Sequence, residues 1–200
     1  MPRYAIPRPT DHAPIPGSHD VAFRAVADGD VPDMWRWAHD PEVIEFWGPP
    51  PADVAALRDL VMDPGDQPTW RFIIELAARS VGFIQYHHPH ADPASFWSAG
   101  IDIYIGEPDA RNRGVGTEAV RTMLAYLFEV QHVHRVTIDP QTTNARAIRC
   151  YEHAGFHRDG VLRHHDRMHG RYVDTQFMTI LEDEWPAARA TWDAERGAAR

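Results

Sequence analysis

The sequence contains no lysine, so all of its 20 basic residues are arginines. Acidic residues outnumber them at 29, and the formal net charge at pH 7 is -9 with neutral histidines. A nucleic-acid partner needs a basic surface to meet its phosphate backbone, so this composition argues against nucleic acid. A cationic small molecule fits the charge better.

Long apolar runs are missing as well. The runs at 72–74 and 101–105 are far shorter than the roughly 20 residues that a membrane-spanning helix needs. The first residues lack the apolar core of a signal peptide. We therefore expect a cytoplasmic protein with no membrane partner.

Cysteine is almost absent, since Cys150 is the only one. A single cysteine excludes an internal disulfide and a thiolate metal cluster, and we interpret Cys150 as a small buried residue rather than a nucleophile. The 13 histidines, above all His87, His88 and His90, suggest a metal site. That cluster is interrupted by Pro89 and has no partner at zinc spacing, so we predict a solvated or substrate-lining loop and no metal.

The hydrophobic pattern predicts an α+β protein with a mixed, mostly antiparallel central sheet flanked by helices. Residues 1–20 are proline-rich and are expected to form a flexible arm, with one domain over 21–181. The predicted strands are 21–26, 69–76, 81–86, 99–105, 135–139, 156–163 and 172–181. The predicted helices are 30–38, 52–62, one following the glycines at 114 and 116, and 144–153, with a short amphipathic turn at 43–48.

The tail over residues 182–200 is predicted to be helical. Trp185, Ala188 and Trp192 recur there at helical spacing. This apolar stripe could pack on the body of the domain or on a second subunit. The sequence leaves both alternatives open, and with them the choice between a monomer and a homodimer.

A glycine turn lies between a strand pattern and a strong helix pattern, with the sequence Arg-Asn-Arg-Gly-Val-Gly-Thr over residues 111–117. Glycines let the backbone approach a ligand closely, and the helix that follows directs unpaired N–H groups and its positive dipole end to the same place. The turn therefore predicts an anion site for a pyrophosphate. It matches neither the dinucleotide fingerprint nor the ATP loop, and a plain glycine turn before a helix remains an alternative.

Further motifs occur on both sides of this turn. Arg-x-x-Gly-x-Gly at 111–116 is followed by Asn-x-x-Ala-x-x-x-Tyr-x-x-x-Gly-Phe at 144–156. Together they resemble the GNAT N-acetyltransferases. The segments 100–108, 139–140 and 146–156, together with the tryptophan-rich stretch 37–48, are similar to the aminoglycoside 6'-N-acetyltransferases of antibiotic resistance. The resemblance covers roughly residues 21–181 and is strongest over 100–156.

The resemblance implies an enzyme that transfers an acetyl group from acetyl-CoA to an amine of an aminoglycoside antibiotic, most directly the 6'-amine. Such amines are mostly protonated near neutral pH, so a carboxylate has to bind the ammonium and remove its proton. Asp102 lies mid-strand among isoleucines and matches the family's base. An aspartate that caps a bulge or pairs with an arginine is the alternative.

The resemblance also assigns residues to the donor. Tyr151 would protonate the departing CoA thiolate, unless it is a core aromatic. Ile103 and Ile105 would offer main-chain groups to the pantetheine arm and to the thioester carbonyl. The pyrophosphate would be surrounded, mostly through backbone N–H groups, by Arg111, Arg113, Gly114, Val115, Gly116 and Thr117. Asn144 would cap its helix and touch the cofactor, while the Arg113 guanidinium could equally point into solvent.

A polycationic acceptor needs several carboxylates around the cleft. Asp102, Asp139 and Asp174 are the predicted three, because they lie on strands or at strand ends near the expected site. Trp47 and Tyr86 could stack on sugar rings or pack in the core. Two rival hypotheses remain open: a GNAT enzyme for another amine (an aminosugar 2'-amine, a siderophore lysine or a protein N-terminus), and a non-catalytic acyl-CoA-binding module.

Overall fold

The computed structural model describes residues 21–62, 69–88 and 97–198. The predicted arm over 1–20 and His90 of the histidine-rich loop lie outside the described residues. The strands are β1 (Val21–Ala25), β2 (Thr69–Leu76), β3 (Arg79–His87), β4 (Ser98–Ile105), β5 (Arg135–Ile138), β6 (His157–Met168) and β7 (Arg171–Leu181). The helices are α1 (Val31–Ala38), α2 (Pro41–Trp47), α3 (Val54–Met62), α4 (Val115–Glu129), α5 (Ala145–Ala154) and α6 (Trp185–Ala198).

The strands form one sheet in the order β1-β2-β3-β4-β5-β7-β6. All neighbouring strands run antiparallel except β4 and β5, which run parallel. The predicted α+β class with a mostly antiparallel sheet is confirmed. Among the described residues, every helix is too short or too polar to cross a membrane.

Two apolar cores cover the two faces of the sheet, because side chains alternate along each strand. On β4, Ile101, Ile103 and Ile105 contribute to the core that holds α4, α5 and α6. Tyr104 contributes to the opposite core, beneath α1 and α3. Asp102 therefore lies on the Tyr104 face, two residues away along the strand.

Helix α2 replaces the short turn expected over 43–48. The Asp40 carboxylate accepts a hydrogen bond from the backbone N–H of Glu42, and Pro41 occupies the first turn. The expectation of a turn was wrong because this cap starts the helix two residues before the apolar run.

Helix α6 packs on the body of the domain. Trp185 and Trp192 are buried in the core that also holds α4. The indole N–H of Trp185 donates to Glu129 at 3.0 Å, and that of Trp192 donates to Glu118 at 2.9 Å. Of the two alternatives left open by the sequence, the structure shows packing within the chain.

The ladder between β4 and β5 is short. It consists of Ser98 with Arg135, Ala99 with Val136 and Gly100 with Thr137. Strand β4 then continues to Ile105 without a β5 partner. The two strands therefore separate beyond Gly100 and leave one backbone edge of β4 open.

Candidate active site

A cleft of about 700 Å³ lies at this separation. Its walls come from α2, the second half of β4, the glycine turn, α5 and the segment after β5. Of the predicted site residues, those that line it are Trp47, Asp102, Ile103, Ile105, Arg111, Gly114, Gly116, Thr117, Asp139, Asn144 and Tyr151. The topology thus brings most of the predicted donor residues and both predicted catalytic residues to one place.

The glycine turn forms the end of the cleft at the N-terminus of α4. Gly114 is the N-cap residue with φ +80°, a left-handed conformation that favours glycine, and no side chain caps the helix. The N–H groups of the first helical turn have no acceptor within the helix. Gly116 and Thr117 of this turn line the cleft. This backbone arrangement fits a bound phosphate group.

The side chain of Arg111 serves the protein rather than an external anion. Its guanidinium donates to the carbonyl oxygens of Ile105 at 2.9 Å and of Gly106 at 2.8 Å. It also donates to the Asp40 carboxylate at 3.1 Å and is only 7% exposed. These contacts engage the guanidinium within the protein, so any contribution of Arg111 to an anion comes through its backbone N–H, as expected for most of the turn.

Two other residues of the turn do not line the cleft. Arg113 is exposed and donates to the Asp109 carbonyl oxygen at 3.3 Å, in agreement with the alternative that its side chain lies in solvent. Val115 is buried in the core beneath α4. Their side chains hold the turn and helix in place instead of contacting a ligand in the cleft.

Asp102 is half-buried on the wall formed by β4. Its Oδ2 accepts a hydrogen bond from Nε2 of Gln85, the residue directly opposite on β3, at 2.9 Å. Nδ1 of His87 lies 3.7 Å from the same oxygen. No arginine contacts this carboxylate among the described residues, so the alternative of an arginine salt bridge is absent from the described structure.

Asp139 lies just after β5 in the same cleft. Burial and the negative charge of Asp102 raise the pKa of Asp139 above its ordinary value. His165 opposes this shift, with Nε2 at 3.2 Å from the Asp139 carboxylate. Two carboxylates that repel each other in one cleft create a site that favours a cation.

Tyr151 reaches the cleft from α5 and is only 7% exposed. Burial raises its pKa, and the charges of Cys150, Asp102 and Asp139 raise it further. The phenol therefore stays protonated and can donate. Asn144 caps the same helix, with Oδ1 accepting from the Ala147 N–H at 3.0 Å, and it lines the cleft as well.

The structure places the two aromatic residues that were predicted to contact the substrate in different environments. Trp47 lines the cleft, is 40% exposed, and lies edge-on to Tyr104 at 4.8 Å. Tyr86 is 1% exposed and stacks on Trp70 at 4.8 Å in the opposite core. Of the two alternatives for Tyr86, the structure shows core packing and not a substrate contact, because the alternation along β3 places it on the other face from Gln85.

Asp174 does not line the cleft. Its carboxylate accepts a hydrogen bond from the backbone N–H of His164 at 2.8 Å. That contact holds the irregular stretch of β6 where the β6–β7 register shifts between Leu162 and Asp166. Asp166 lines the cleft instead, together with Asp102, Asp139 and Glu42.

Sequence reasoning missed Gln85 and Asp166. Gln85 had a readable signal, because it is a polar residue between the buried Ile84 and Tyr86 of a predicted strand. Asp166 had none, since the register shift that brings it to the cleft depends on pairing between two strands. Among the described residues, no group of three His, Cys, Asp or Glu side chains could hold a metal ion.

Comparisons with known proteins identify the family of this chain. The family model of the acetyltransferase (GNAT) domain matches residues 26–163. Aminoglycoside N(6')-acetyltransferase type 1 of Klebsiella pneumoniae is 28% identical over 168 residues, which are 76% of this chain and 82% of that protein. Spermidine N(1)-acetyltransferase of Escherichia coli (strain K12) is 24% identical over 182 residues, which are 88% and 94% of the two chains.

A solved structure of the aminoglycoside acetyltransferase AAC(6')-Ib in complex with coenzyme A and kanamycin superposes with a TM-score of 0.72. The sequence identity is 23%, and the match covers 84% of this chain and 99% of that one. At this identity the likeness shows a shared fold.

Proposed function

Since the chain belongs to the GNAT acetyltransferase family, we propose that it transfers the acetyl group of acetyl-CoA to an aminoglycoside, at the 6'-amine, and so confers resistance to such antibiotics. The observation that carries this proposal is the position of Asp102, a half-buried carboxylate in the cleft where β4 leaves β5. The Klebsiella pneumoniae relative, named for this reaction, supports the choice of acceptor.

Asp102 is the proposed base. Gln85 holds its Oδ2, while Oδ1 has no hydrogen-bond partner among the described residues. An ammonium group of the acceptor binds at this carboxylate and gives up a proton, and the neutral amine then attacks the thioester carbonyl. Asp139 and Asp166 supply further negative charge for the other ammonium groups of a polycation.

Tyr151 is the proposed acid. Its raised pKa keeps the hydroxyl protonated, so it can donate to the thiolate that leaves the collapsing tetrahedral intermediate. The CoA thiolate is only a moderate base. A hydrogen bond from the Tyr151 hydroxyl can therefore stabilise it in the transition state without complete transfer of the proton.

Acetyl-CoA is the proposed co-substrate, and the residues present fit it. The glycine turn offers N–H groups to the pyrophosphate, and the open edge of β4 at Ile103 and Ile105 offers main-chain groups to the pantetheine arm. Trp47 of α2 lines the same cleft, edge-on to Tyr104 of β4, where it can contact the acceptor.

A second acceptor class shares this chemistry. The Escherichia coli relative is named for spermidine, and the match to it covers more of both chains than the match to the aminoglycoside enzyme. A linear polyamine and an aminoglycoside both present several ammonium groups to the acidic cleft. We therefore retain polyamine acetylation as the second candidate.

A panel of acceptors separates the two candidates. CoA thiol release is followed with an aminoglycoside that carries a 6'-amine, with its analogue that carries a 6'-hydroxyl, and with spermidine. We expect turnover with the first and little with the other two. Equal turnover with the 6'-hydroxyl analogue would exclude the 6'-position, and turnover with spermidine alone would select the polyamine. Mass spectrometry of the product locates the modified nitrogen.

A further inference from the structure

His87, the last residue of β3, is a neighbour of Asp102 on one face of the sheet. The β3–β4 register pairs His87 with Gly100 and Gln85 with Asp102, so His87 and Asp102 are diagonal neighbours. The imidazole Nδ1 lies 3.7 Å from Asp102 Oδ2, and each side chain is 36% exposed. Because both side chains are partly free, a small rotation brings the two atoms to hydrogen-bond distance.

Gly100 makes this approach possible. A Cβ at Gly100 would lie 2.6 Å from Nε2 and 2.7 Å from Cε1 of His87. The imidazole ring therefore lies over the Gly100 backbone, in the space that a side chain would fill. A larger residue at this position would push the ring away from its place beside Asp102.

A base that takes a proton from each acceptor must release it before the next turnover. Gln85 touches Asp102 Oδ2, but an amide does not accept a proton near neutral pH. Tyr151 is already protonated, and Asp139 is engaged with His165. Asp166 lines the same cleft, but among the described residues His87 is the titratable side chain in direct contact range of the Asp102 carboxylate, at 3.7 Å.

We propose that His87 is a relay residue that carries the proton from Asp102 to solvent. The inference rests on the proposed function, since it requires Asp102 to act as the base. The O–H bond of the protonated carboxyl breaks as the Nδ1–H bond of the imidazole forms, which regenerates the carboxylate. The imidazolium then releases its Nε2 proton to water, and exchange with water restores the Nε2–H tautomer. No electrons are gained or lost.

The test compares three variants with the wild-type protein. In His87→Ala we expect kcat for acetyl transfer to fall about tenfold, with KM for acetyl-CoA unchanged. Free imidazole should restore most of the loss, because the space over Gly100 is vacant in that variant. His87→Gln keeps a polar side chain that cannot carry a proton, so it should be as slow as His87→Ala. In His87→Ala combined with Gly100→Ala, the new methyl group occupies the space and imidazole should no longer rescue.

His157→Ala is the matched control. Its Nε2 lies 3.6 Å from the Glu184 carboxylate, a contact of the same kind between two residues that do not line the cleft. This variant should retain wild-type kcat and should not respond to imidazole. The pH profile of kcat should change shape in the two single His87 variants and stay unaltered in the control.

Two results would overturn the relay. His87→Gln with the wild-type kcat and pH profile would show that no proton passes through this residue. A slow His87→Ala that imidazole does not rescue, with a raised KM for acetyl-CoA, would show a purely structural role. A wild-type protein that acetylates no amine would overturn the proposed function and the relay with it, whereas active His87 variants overturn the relay alone.

Discussion

The carboxylate of Glu42 on α2 lies 2.7 Å from the guanidinium of Arg146 on α5, so an ion pair joins two opposite walls of the cleft. Glu42 also lies 3.4 Å from Arg111. The Glu42 and Arg146 side chains are 52% and 48% exposed, so their pair contributes at most about 1 kcal/mol to stability. Its greater effect is on charge, because Glu42 neutralises arginines near the place where phosphates would bind.

Glu42→Gln should therefore strengthen acetyl-CoA binding. Freeing Arg146 from its carboxylate should lower the Kd by about twofold to fivefold, and more at low salt than at high salt. Isothermal titration calorimetry at two ionic strengths measures both effects. Arg146→Gln is the matched variant and should weaken binding. Equal Kd values for the two variants would show that the pair does not influence the donor.

Asp102→Asn should remove most of the activity without changing donor binding. An amide cannot accept the ammonium proton, so kcat should fall by about 10² to 10⁴. The Kd for acetyl-CoA, measured by calorimetry, should stay as in the wild type. Asp33→Asn is the control, since Asp33 is an exposed partner of Arg36. An Asp102→Asn variant with normal turnover would remove Asp102 from the role of base.

Tyr151→Phe should lower kcat about tenfold while leaving KM for the acceptor nearly constant. Because the pKa of Tyr151 is raised by burial, the wild-type enzyme should lose no activity through this phenol up to about pH 10. Rate measurements from neutral to alkaline pH check both statements. A wild-type decline near the ordinary phenol pKa that is missing in Tyr151→Phe would contradict them.

His88 should make stability depend on pH. It is 6% exposed, donates from Nδ1 to the Ser98 carbonyl oxygen at 2.7 Å, and stacks on Trp97 at 4.5 Å. Burial lowers its pKa, although the hydrogen bond to Ser98 opposes this shift. The unfolded chain therefore binds the proton more readily, so stability is complete above about pH 6.5 and is lost as the pH falls below it.

Urea denaturation of the wild type and of His88→Gln measures this effect. The free energy of unfolding should fall more steeply between about pH 7.5 and about pH 5.5 in the wild type. Parallel pH profiles for the two proteins would mean that other histidines carry the dependence.

Trp192→Ala should destabilise the fold by about 3 to 5 kcal/mol, because a side chain that is 3% exposed leaves a cavity between α6 and α4. Trp192→Phe keeps an aromatic ring but removes the N–H bond to Glu118 and part of the ring volume, and should cost about 1 to 3 kcal/mol. Thermal and urea unfolding give both values. Glu118 lies in the first turn of α4, next to the glycine turn proposed to bind the pyrophosphate. Acetyl-CoA binding should therefore be weaker in Trp192→Phe than in the wild type, and weaker still in Trp192→Ala.

The sequence motifs identified the family and the fold class, and most of the residues they singled out line the cleft. Gly114, Gly116 and Asn144 line the cleft as expected, because local backbone geometry at a turn and at a helix cap determines their positions. Local patterns of this kind can be recognised from the sequence alone. Asp102 and Tyr151 also line the cleft. The face on which each side chain lies is determined by the alternation along one strand or by the period of one helix.

Properties that depend on partners were not readable. The Arg111 guanidinium is engaged by Asp40, a residue far away in the sequence, and no pattern at the turn reveals this pairing. Because the register between β6 and β7 is irregular, Asp166 lines the cleft and the predicted Asp174 bonds to the backbone of His164 instead. Tyr86 is different, because alternation along β3 was sufficient to place it in the core.

The β4–β5 ladder ends early and leaves part of the β4 edge open. Binding of a ligand to this edge is therefore thermodynamically linked to folding of the protein. A pantetheine arm that bonds to β4 would act as a guest strand, so acyl-CoA analogues would raise the melting temperature in proportion to the main-chain bonds they complete. An ester accepts a hydrogen bond but cannot donate one. Analogues with single amides replaced by esters would therefore show how much each donated main-chain hydrogen bond to β4 contributes to the rise in melting temperature.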